Sequence, residues 1–440
     1  MKGFLAGFLA LVTLAWGWDW MSANGALAPI TAWTVRRDAL HLTGLWSFSL
    51  MSLAMVLSTR PAWLERPFGG MDRIYRTHKW AGILAIGLAA AHWLVEMSDD
   101  LIKAVLGREG RLPKEHAGGF VEAMRDVAEE FGEWAIYALL AMLVLTLWKR
   151  FPFTIWRYLH KVMPVLYLML ALHAAFLAPI GFWSQPVGAL LAVFIAAGSI
   201  ASVQSLAGWI GRRRRVGGVV EAVREPGPGV TEVTCRLNES WQGHRAGQFA
   251  FVTFDRFEGA HPFTIASADR GNRRITFAIK ALGDYTRGLA ERLQAGQAVQ
   301  VEGPYGRFDF RSSTRRTEQI WIAGGIGVTP FLAWLESLQC TPDEVPDVDF
   351  YYSTRQRDAD PFVARLEALC ANLPAIRLHV FSSDRNETLT ASTVHERHAA
   401  SRRPEIWFCG PRGLADALQD GLRRLGLGRA RFHREAFEMR

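Results

Sequence analysis

The chain reads as a multidomain protein: a six-helix transmembrane bundle, then a small antiparallel β-barrel, then a doubly wound α/β domain. Three observations predict this. Up to residue 210, apolar runs near the roughly 20 residues needed to cross hydrocarbon alternate with short basic or turn-rich connectors. Residues 217–313 carry short alternating strands (VVEAV, VTEVTCRL, QFAFVTF, RRITFAIKA, QAVQVEG) separated by turn signals, as in a small barrel. Residues 315–440 alternate strands with amphipathic helices, the pattern of a parallel sheet.

The six spans fall near residues 3–21, 39–57, 78–97, 133–149, 160–179 and 186–210. The net charge of +8 could point to nucleic acid, but its placement argues against that. Arg60, Arg66, Arg73, Arg76 and Lys79, then Lys149, Arg150, Arg157 and Lys161, then Arg212 to Arg215, all flank the apolar runs. This is the positive-inside pattern, which places those loops and both termini in the cytoplasm. The partner it implies is the lipid bilayer, and no nucleic acid is expected. The opening MKGFLAGFLALVTLAWGW with Ala26–Ala28 resembles a signal peptide, yet its length and Pro29 favour retention as the first span. The stretch 101–131 is helical in period but too charged to span, so a cap on the outer face is expected. The four cysteines, Cys235, Cys340, Cys370 and Cys409, lack Cys-x-x-Cys spacing, which argues against zinc and iron–sulfur sites and fits a reducing cytosol. No EF-hand loop is present, so calcium control is not expected.

Four histidines in the greasy half carry the first chemical signal. His78 and His92 lie on span three, and His160 and His173 on span five. The two spans run in one direction, so the first histidines share one depth and the second another. Fourteen residues at 1.5 Å each separate the levels by roughly 21 Å. Polar rings inside a membrane are costly and mark function. Two facing imidazoles at each level make two bis-histidine haem sites, pairing His78 with His160 and His92 with His173. On an ideal helix His78 and His92 return to within about 40° of one face, whereas His160 and His173 stand about 140° apart. Pro164 is the expected remedy, because its ring collides with the carbonyl of His160 and distorts the helix there. His41 is expected to be structural and His116 solvated.

The second half adds motifs in a fixed order. HPFTIAS (261–267), AIKALGDYT (278–286) and GPYGRF (303–308) follow one another through the barrel. AGGIGVTPF (323–331) then lies between a strand and a helix, where glycines let backbone approach a pyrophosphate and the helix start offers unpaired N–H groups. CGP (409–411) answers it, and the set reads as a nicotinamide-nucleotide site formed by Gly324, Gly325, Gly327, Thr329, Cys409, Gly410 and Pro411. STRQRD (353–358) follows the second strand, where Arg355 and Arg357 would accommodate a 2′-phosphate and so favour NADPH over NADH.

The barrel motifs resemble the flavin-binding barrel of the ferredoxin–NADP reductase superfamily. Together with the histidine spacing, the chain from about residue 40 onward resembles the NADPH oxidase and ferric reductase superfamily, especially bacterial members without regulatory domains. The resemblance implies that His261, Pro262, Phe263, Thr264 and Ser267 line FAD, with Thr264 bonded to the reactive ring edge and Thr286 beside it. His261 stands where many members carry the pyrophosphate-binding arginine, and Arg287 is the candidate replacement. Cys409 is implied near the nicotinamide, Phe437 as the ring that covers the flavin, and Glu435 as its helper. The implied activity is transmembrane electron transfer from cytosolic NADPH through FAD and two b-type haems to an extracytoplasmic acceptor. Oxygen, giving superoxide, is the first expectation. A ferric or cupric chelate is the second, and an extracytoplasmic redox protein the third. The implied location is a bacterial plasma membrane.

Overall fold

The structure is a computed structural model describing residues 2–24, 30–107, 111, 118–148, 150–255, 257–312, 318–399, 404–427 and 430–435. It divides into two compact units: Met1–Leu64 with Arg73–Ile210, and Glu65–Asp72 with Gly211–Arg440.

The first unit is helical. Its helices are α1 (Lys2–Asn24) and α2 (Ala32–Ser58), then, after the short α3 (Glu65–Phe68) of the second unit, α4 (Met71–Leu106), α5 (Gly119–Leu147), α6 (Phe153–His160), α7 (Met163–Leu177) and α8 (Pro186–Leu206). They supply six stretches long and apolar enough to cross a bilayer, with α6 and α7 sharing one of them. The protein is an integral membrane protein. The second span starts earlier than its apolar run, because Thr31 and Thr34 form a reciprocal cap at 3.2 and 2.9 Å. Residues 101–106 and 119–131 do not form a separate cap. They continue α4 and α5, since no glycine or proline interrupts the chain between Leu94 and Leu106 or between Phe120 and Phe131. At 36 residues α4 is about 54 Å long, well beyond a 30 Å hydrocarbon core. The fifth span breaks at His160. Pro164 cannot donate to the His160 carbonyl, and α7 restarts at Met163 with that proline in its first turn. Phe48, Met55, Tyr167, Ala171 and Leu191 pack α2, α7 and α8 together. The buried Tyr167 hydroxyl is satisfied by Ser52 Oγ at 2.9 Å and the Phe194 carbonyl at 2.8 Å.

The second unit holds two sheets. The first comprises β1 (Arg215–Gly227), β2 (Val230–Leu237), β3 (Phe249–Thr253), β4 (His261–Thr264), β5 (Arg274–Lys280) and β6 (Ala298–Tyr305), with the turn α9 (Leu289–Arg292) before β6. Its order is β4-β3-β6-β1-β2-β5, antiparallel throughout, and its two edges meet at a single bridge, Ile265 with Phe277. Alternating side chains such as Val220, Val233, Val252, Phe277 and Val301 fill its interior. The second sheet comprises β7 (Gln319–Gly324), β8 (Val348–Thr354), β9 (Ile376–Ser382), β10 (Glu405–Cys409) and β11 (Arg431–Glu435). Helices α10 (Thr329–Gln339), α11 (Val363–Ala371), α12 (Ala391–His398) and α13 (Arg412–Leu422) connect or flank these strands. The order β11-β10-β7-β8-β9 is parallel throughout, so the winding reverses between β7 and β10. Sequence patterning did not anticipate α12 or β11. The former is short and polar, and β11 (RFHRE) carries two arginines, a histidine and a glutamate in five residues.

Candidate functional site

In the membrane unit, α4 and the broken span bring the four histidines together in two pairs. The His78 and His160 ring centres lie 6.2 Å apart at 81°, and those of His92 and His173 lie 6.3 Å apart at 81°. An iron bonded to one nitrogen of each ring, at about 2 Å per bond, would hold ring centres roughly 6.4 Å apart. The far nitrogens are already committed. Nδ1 of His78 donates to the Ala54 carbonyl at 2.8 Å, Nδ1 of His92 to Leu40 at 3.0 Å, and Nδ1 of His173 to Ala128 at 2.8 Å. Such bonds fix the tautomer and leave Nε2 as the available ligand, the usual arrangement of a metal-binding histidine. His160 is instead stacked on Trp156, 4.8 Å between centres at 20°.

Two glycines make the His92–His173 pair sterically feasible, and sequence reasoning missed both. A Cβ on Gly44 would lie 3.0 Å from His92 Cε1, and one on Gly132 would collide with the His173 imidazole. Their signal is weak in sequence, because each faces a histidine more than 40 residues away. His41 packs edge-on against Phe182 at 5.5 Å and 72°, a structural role, while His116 lies outside the described residues.

In the antiparallel sheet, β4 carries His261 to Thr264 in one row. The Thr264 hydroxyl is buried and finds no partner among the described residues, which is costly unless a ligand supplies one. His261 stacks on Tyr285, 3.8 Å between centres at 9°. The loop containing Tyr285 is closed by Thr286, whose hydroxyl accepts from Leu282 N at 2.9 Å and Gly283 N at 3.1 Å. Thr286 is therefore a turn-former first. Arg287 follows it, exposed and paired with Asp284 at 3.8 Å. The Ser267 hydroxyl accepts from Thr276 N at 3.0 Å and so serves the sheet.

In the parallel sheet, the loops after β7 and β10 meet where the winding reverses, which is where open α/β sheets bind ligands. Three of the glycines are needed for the loops to touch. A Cβ on Gly327 would strike the Cys409 carbonyl, one on Gly324 would lie 2.8 Å from Pro411 Cδ, and one on Gly410 would lie 3.0 Å from Gly324 N. Gly325, at φ +54°, turns the loop outward toward Lys280, whose Nζ would be 3.9 Å from an added Cβ. Lys280, at the end of β5, is a cation that sequence reasoning overlooked, being taken for a strand residue. Thr329 is buried and donates to the Ile326 carbonyl at 3.1 Å, holding the loop rather than facing outward. After β8, Arg355 is exposed, whereas Arg357 is held by Glu367 at 3.0 Å. Ser353 pairs with Gly324, so Arg355 lies two residues beyond the glycine loop's level.

Cys409 ends β10 fully buried, and Glu435 pairs with it from β11. Burial pushes the Cys409 thiol well above its ordinary range. Burial also pushes the Glu435 carboxyl up to about 8, and its Oε2 has no hydrogen-bond partner among the described residues. Both groups are therefore neutral near pH 7. Phe437 lies outside the described residues. At the opposite end of the sheet Glu318, Asp349 and His398 come within 4.8 Å of one another, but their atoms are engaged. His398 bonds Glu318 and Tyr351, and Asp349 is held by Arg377 at 2.7 Å and His379 at 2.7 Å, an ion network rather than an open metal site.

Three protein families match successive stretches of the chain. A ferric reductase like transmembrane component matches residues 43–171, an FAD-binding domain 223–309, and an oxidoreductase NAD-binding domain 321–420. Among curated relatives, a vanillate O-demethylase oxidoreductase of Pseudomonas sp. is 27% identical over 152 residues, 34% of this chain and 45% of that protein. The anthranilate 1,2-dioxygenase electron transfer component of Acinetobacter baylyi is 24% identical over 199 residues, 43% of this chain and 57% of that one. The chain spans 38–57% of the length of the first relatives it matches. Among solved structures, a flavohemoglobin from Malassezia yamatoensis matches with TM-score 0.50 at 15% identity, covering 92% of this chain and 98% of that one, a likeness of fold alone.

Proposed function

The chain belongs to the ferric reductase/NADPH oxidase-like superfamily, a membrane component joined to FAD- and NAD-binding oxidoreductase domains, and from that premise we propose a transmembrane NADPH-dependent flavocytochrome. It is an NAD(P)H-dependent oxidoreductase, and electron transfer proceeds from NAD(P)H via FAD. The finer reading adds two b-type haems, one held by His78 and His160 and the other by His92 and His173. The observation that carries it is the repeated pair geometry, 6.2 and 6.3 Å at one angle, with three of four Nδ1 atoms donating to carbonyls.

When bound, the flavin would accept a hydride from the nicotinamide and pass its electrons on singly, and the haems would carry them across the hydrocarbon. The protein's part is positioning. The carbonyls of Ala54, Leu40 and Ala128 hold three imidazoles in rotation and raise their basicity. Thr264 offers its unspent hydroxyl to the flavin edge. Glu435, neutral near pH 7, and the Cys409 thiol add no charge at the ends of β10 and β11. Lys280 and Arg287 offer cations to phosphate groups, and Arg355 suits a 2′-phosphate, favouring NADPH. If His92 and His173 both held the iron of the outer haem, the acceptor would have to be reduced at the haem edge without binding iron.

The acceptor is oxygen in the first reading, giving superoxide outside the cytoplasm. A ferric chelate is the second, favoured by the family description of the membrane component. Docking of an extracytoplasmic redox protein is the third, favoured by exposed Leu101, Val105 and Phe120 on the outer extensions of α4 and α5. The basic residues flanking the spans support a topology with both termini on the cytoplasmic side, in this reading of a bacterial plasma membrane. The test uses detergent-purified protein with FAD and NADPH. Two reducible b-type haems per chain and superoxide under air support the oxidase. Slow oxygen use with fast anaerobic chelate reduction makes it a metal reductase. Absence of haem after expression with haem supply would overturn the histidine assignment.

A further inference from the structure

Helix α10 starts directly at the nucleotide loop, so its tilt governs where that loop lies. Three contacts tie this helix to the antiparallel sheet. Trp334 Nε1 donates to the Ala246 carbonyl at 3.2 Å, and its ring stacks on Phe308, 4.8 Å between centres at 14°. The third is polar and asymmetric. Glu336 accepts through Oε2 from the backbone N–H of Ala268 at 3.1 Å, the residue immediately after the flavin-lining segment 261–267. Its other oxygen, Oε1, receives Arg365 Nη2 at 2.6 Å, and Arg365 Nη1 bonds Glu232 Oε2 at 2.9 Å. Arg365 stands on α11, Glu232 on β2 and Glu336 on α10, so two helices beside the parallel sheet and one strand of the antiparallel sheet meet at one guanidinium. Both carboxylates are mostly shielded, at 18% and 14% exposure, so salt and water screen the bonds less than they would a surface pair. The planar fork of arginine gives each bond a direction, which lysine cannot reproduce.

We propose that Glu336, Arg365 and Glu232 are positioning residues that set the distance between the nicotinamide and flavin rings. The inference rests on the NADPH-to-flavin reading above. The triad exchanges no electrons or protons. The hydride leaves the nicotinamide with its two electrons and joins the flavin, while the triad fixes the lever that carries one ring to the other. Glu336 lies seven residues from Thr329, about 10 Å along the helix. A tilt of about 6° over that arm moves the nucleotide loop by about 1 Å, and misplacement of that size can cost roughly a hundredfold in rate. The Trp334 contacts remain when the triad is cut, so a fall of roughly tenfold is expected. Binding should hardly change, because none of the three side chains belongs to the nucleotide loop itself.

The experiment compares wild type with Glu336→Gln and Arg365→Lys in the full-length, flavin-loaded protein. Glu336→Gln keeps the shape and the acceptor for Ala268 but removes the charge that holds Arg365. Anaerobic stopped-flow gives the rate of flavin reduction and the NADPH Kd. The long-wavelength charge-transfer absorbance of reduced flavin with NADP+ reports ring contact without turnover. Expected are a rate about tenfold lower, Kd within about twofold, a weakened charge-transfer band, and a double variant no worse than either single. Glu232→Gln, which leaves the Glu336–Ala268 tie in place, is read the same way and covers the case of a variant that fails to fold. Unchanged rates and bands overturn the proposal, as does a rate loss matched by equal loss of FAD content or NADPH affinity. Wild-type flavin that NADPH does not reduce would overturn the proposed function, and this inference with it.

Discussion

Replacing Gly132 by alanine should cost the outer haem. The added Cβ would occupy the space of the His173 ring, overlapping Nδ1 and Cε1 and lying 3.4 Å from Cγ. Backbone cannot yield easily inside a packed helix pair, so the imidazole must turn. Turning it breaks the 2.8 Å bond to the Ala128 carbonyl, a loss of about 1 kcal/mol for an ordinary hydrogen bond. Losing such an outer partner lowers metal affinity roughly 10–100-fold. Helix propensity acts in the opposite direction, favouring alanine by about 1 kcal/mol, so any loss reflects the collision and not a weaker helix. The assay is haem stoichiometry by pyridine haemochrome with redox titration of the membrane-extracted protein. One haem per chain is expected for Gly132→Ala, with the inner potential retained. Gly44→Ala, whose Cβ would stop 3.0 Å from His92, should show a milder shift in the same component. Gly7→Ala, with nothing within 4 Å, should match wild type. Two haems with wild-type potentials in Gly132→Ala would refute the reasoning.

Further outcomes follow from the same geometry. His92→Ala should remove the outer haem and acceptor reduction while NADPH still reduces the flavin; retention of two haems by spectral quantitation would falsify the pairing. Thr264→Val removes the unspent hydroxyl and should slow flavin reduction about tenfold with FAD still bound, as expected for one lost hydrogen bond; an unchanged stopped-flow rate would take Thr264 off the ring edge. Arg355→Ala should raise the KM for NADPH roughly tenfold or more and leave that for NADH alone, since a charge-assisted bond to phosphate is lost; equal effects on both nucleotides would count against a 2′-phosphate role. Glu435 is held near 8 when folded against an ordinary 4.5, so between those values the folded chain keeps a proton that the unfolded chain has released. Stability should therefore fall as pH rises across that window and level off above it, and Glu435→Gln should flatten the slope. Thermal melts from pH 5 to 9 test this, and identical slopes in the two proteins would count against a buried neutral carboxyl.

Much of the architecture was legible in local pattern. Apolar length marked six spans, alternation marked five strands of the first sheet, and the strand–helix rhythm marked the parallel sheet, because each reports a periodicity set by one element's own backbone. Pro164 announced the break at His160 for the same reason, since the clash lies within four residues. The separate cap expected over 101–131 gives way, at 101–106 and 119–131, to continuations of α4 and α5, because charge counting ignores that a helix continues when nothing stops it. The polar α12 and the charged β11 were hidden because neither has a strong apolar period.

The sequence by itself determined which residue types stand at which depth or strand end: four histidines on two levels, a threonine after HPF, glycines where strands turn into helices. Only the tertiary structure decided what those residues touch. Gly44 and Gly132 gain meaning from histidines 48 and 41 residues away, and Lys280 from a glycine loop 45 residues later. Ser267, Thr286 and Thr329 proved to be engaged in holding turns and strands, whereas Thr264 kept a hydroxyl without a partner among the described residues. Glu336 and Arg365 carry no motif at all. The physical reason is that hydrogen bonds and collisions depend on distances of a few ångströms between elements. Those distances arise from packing of surfaces that no local period encodes.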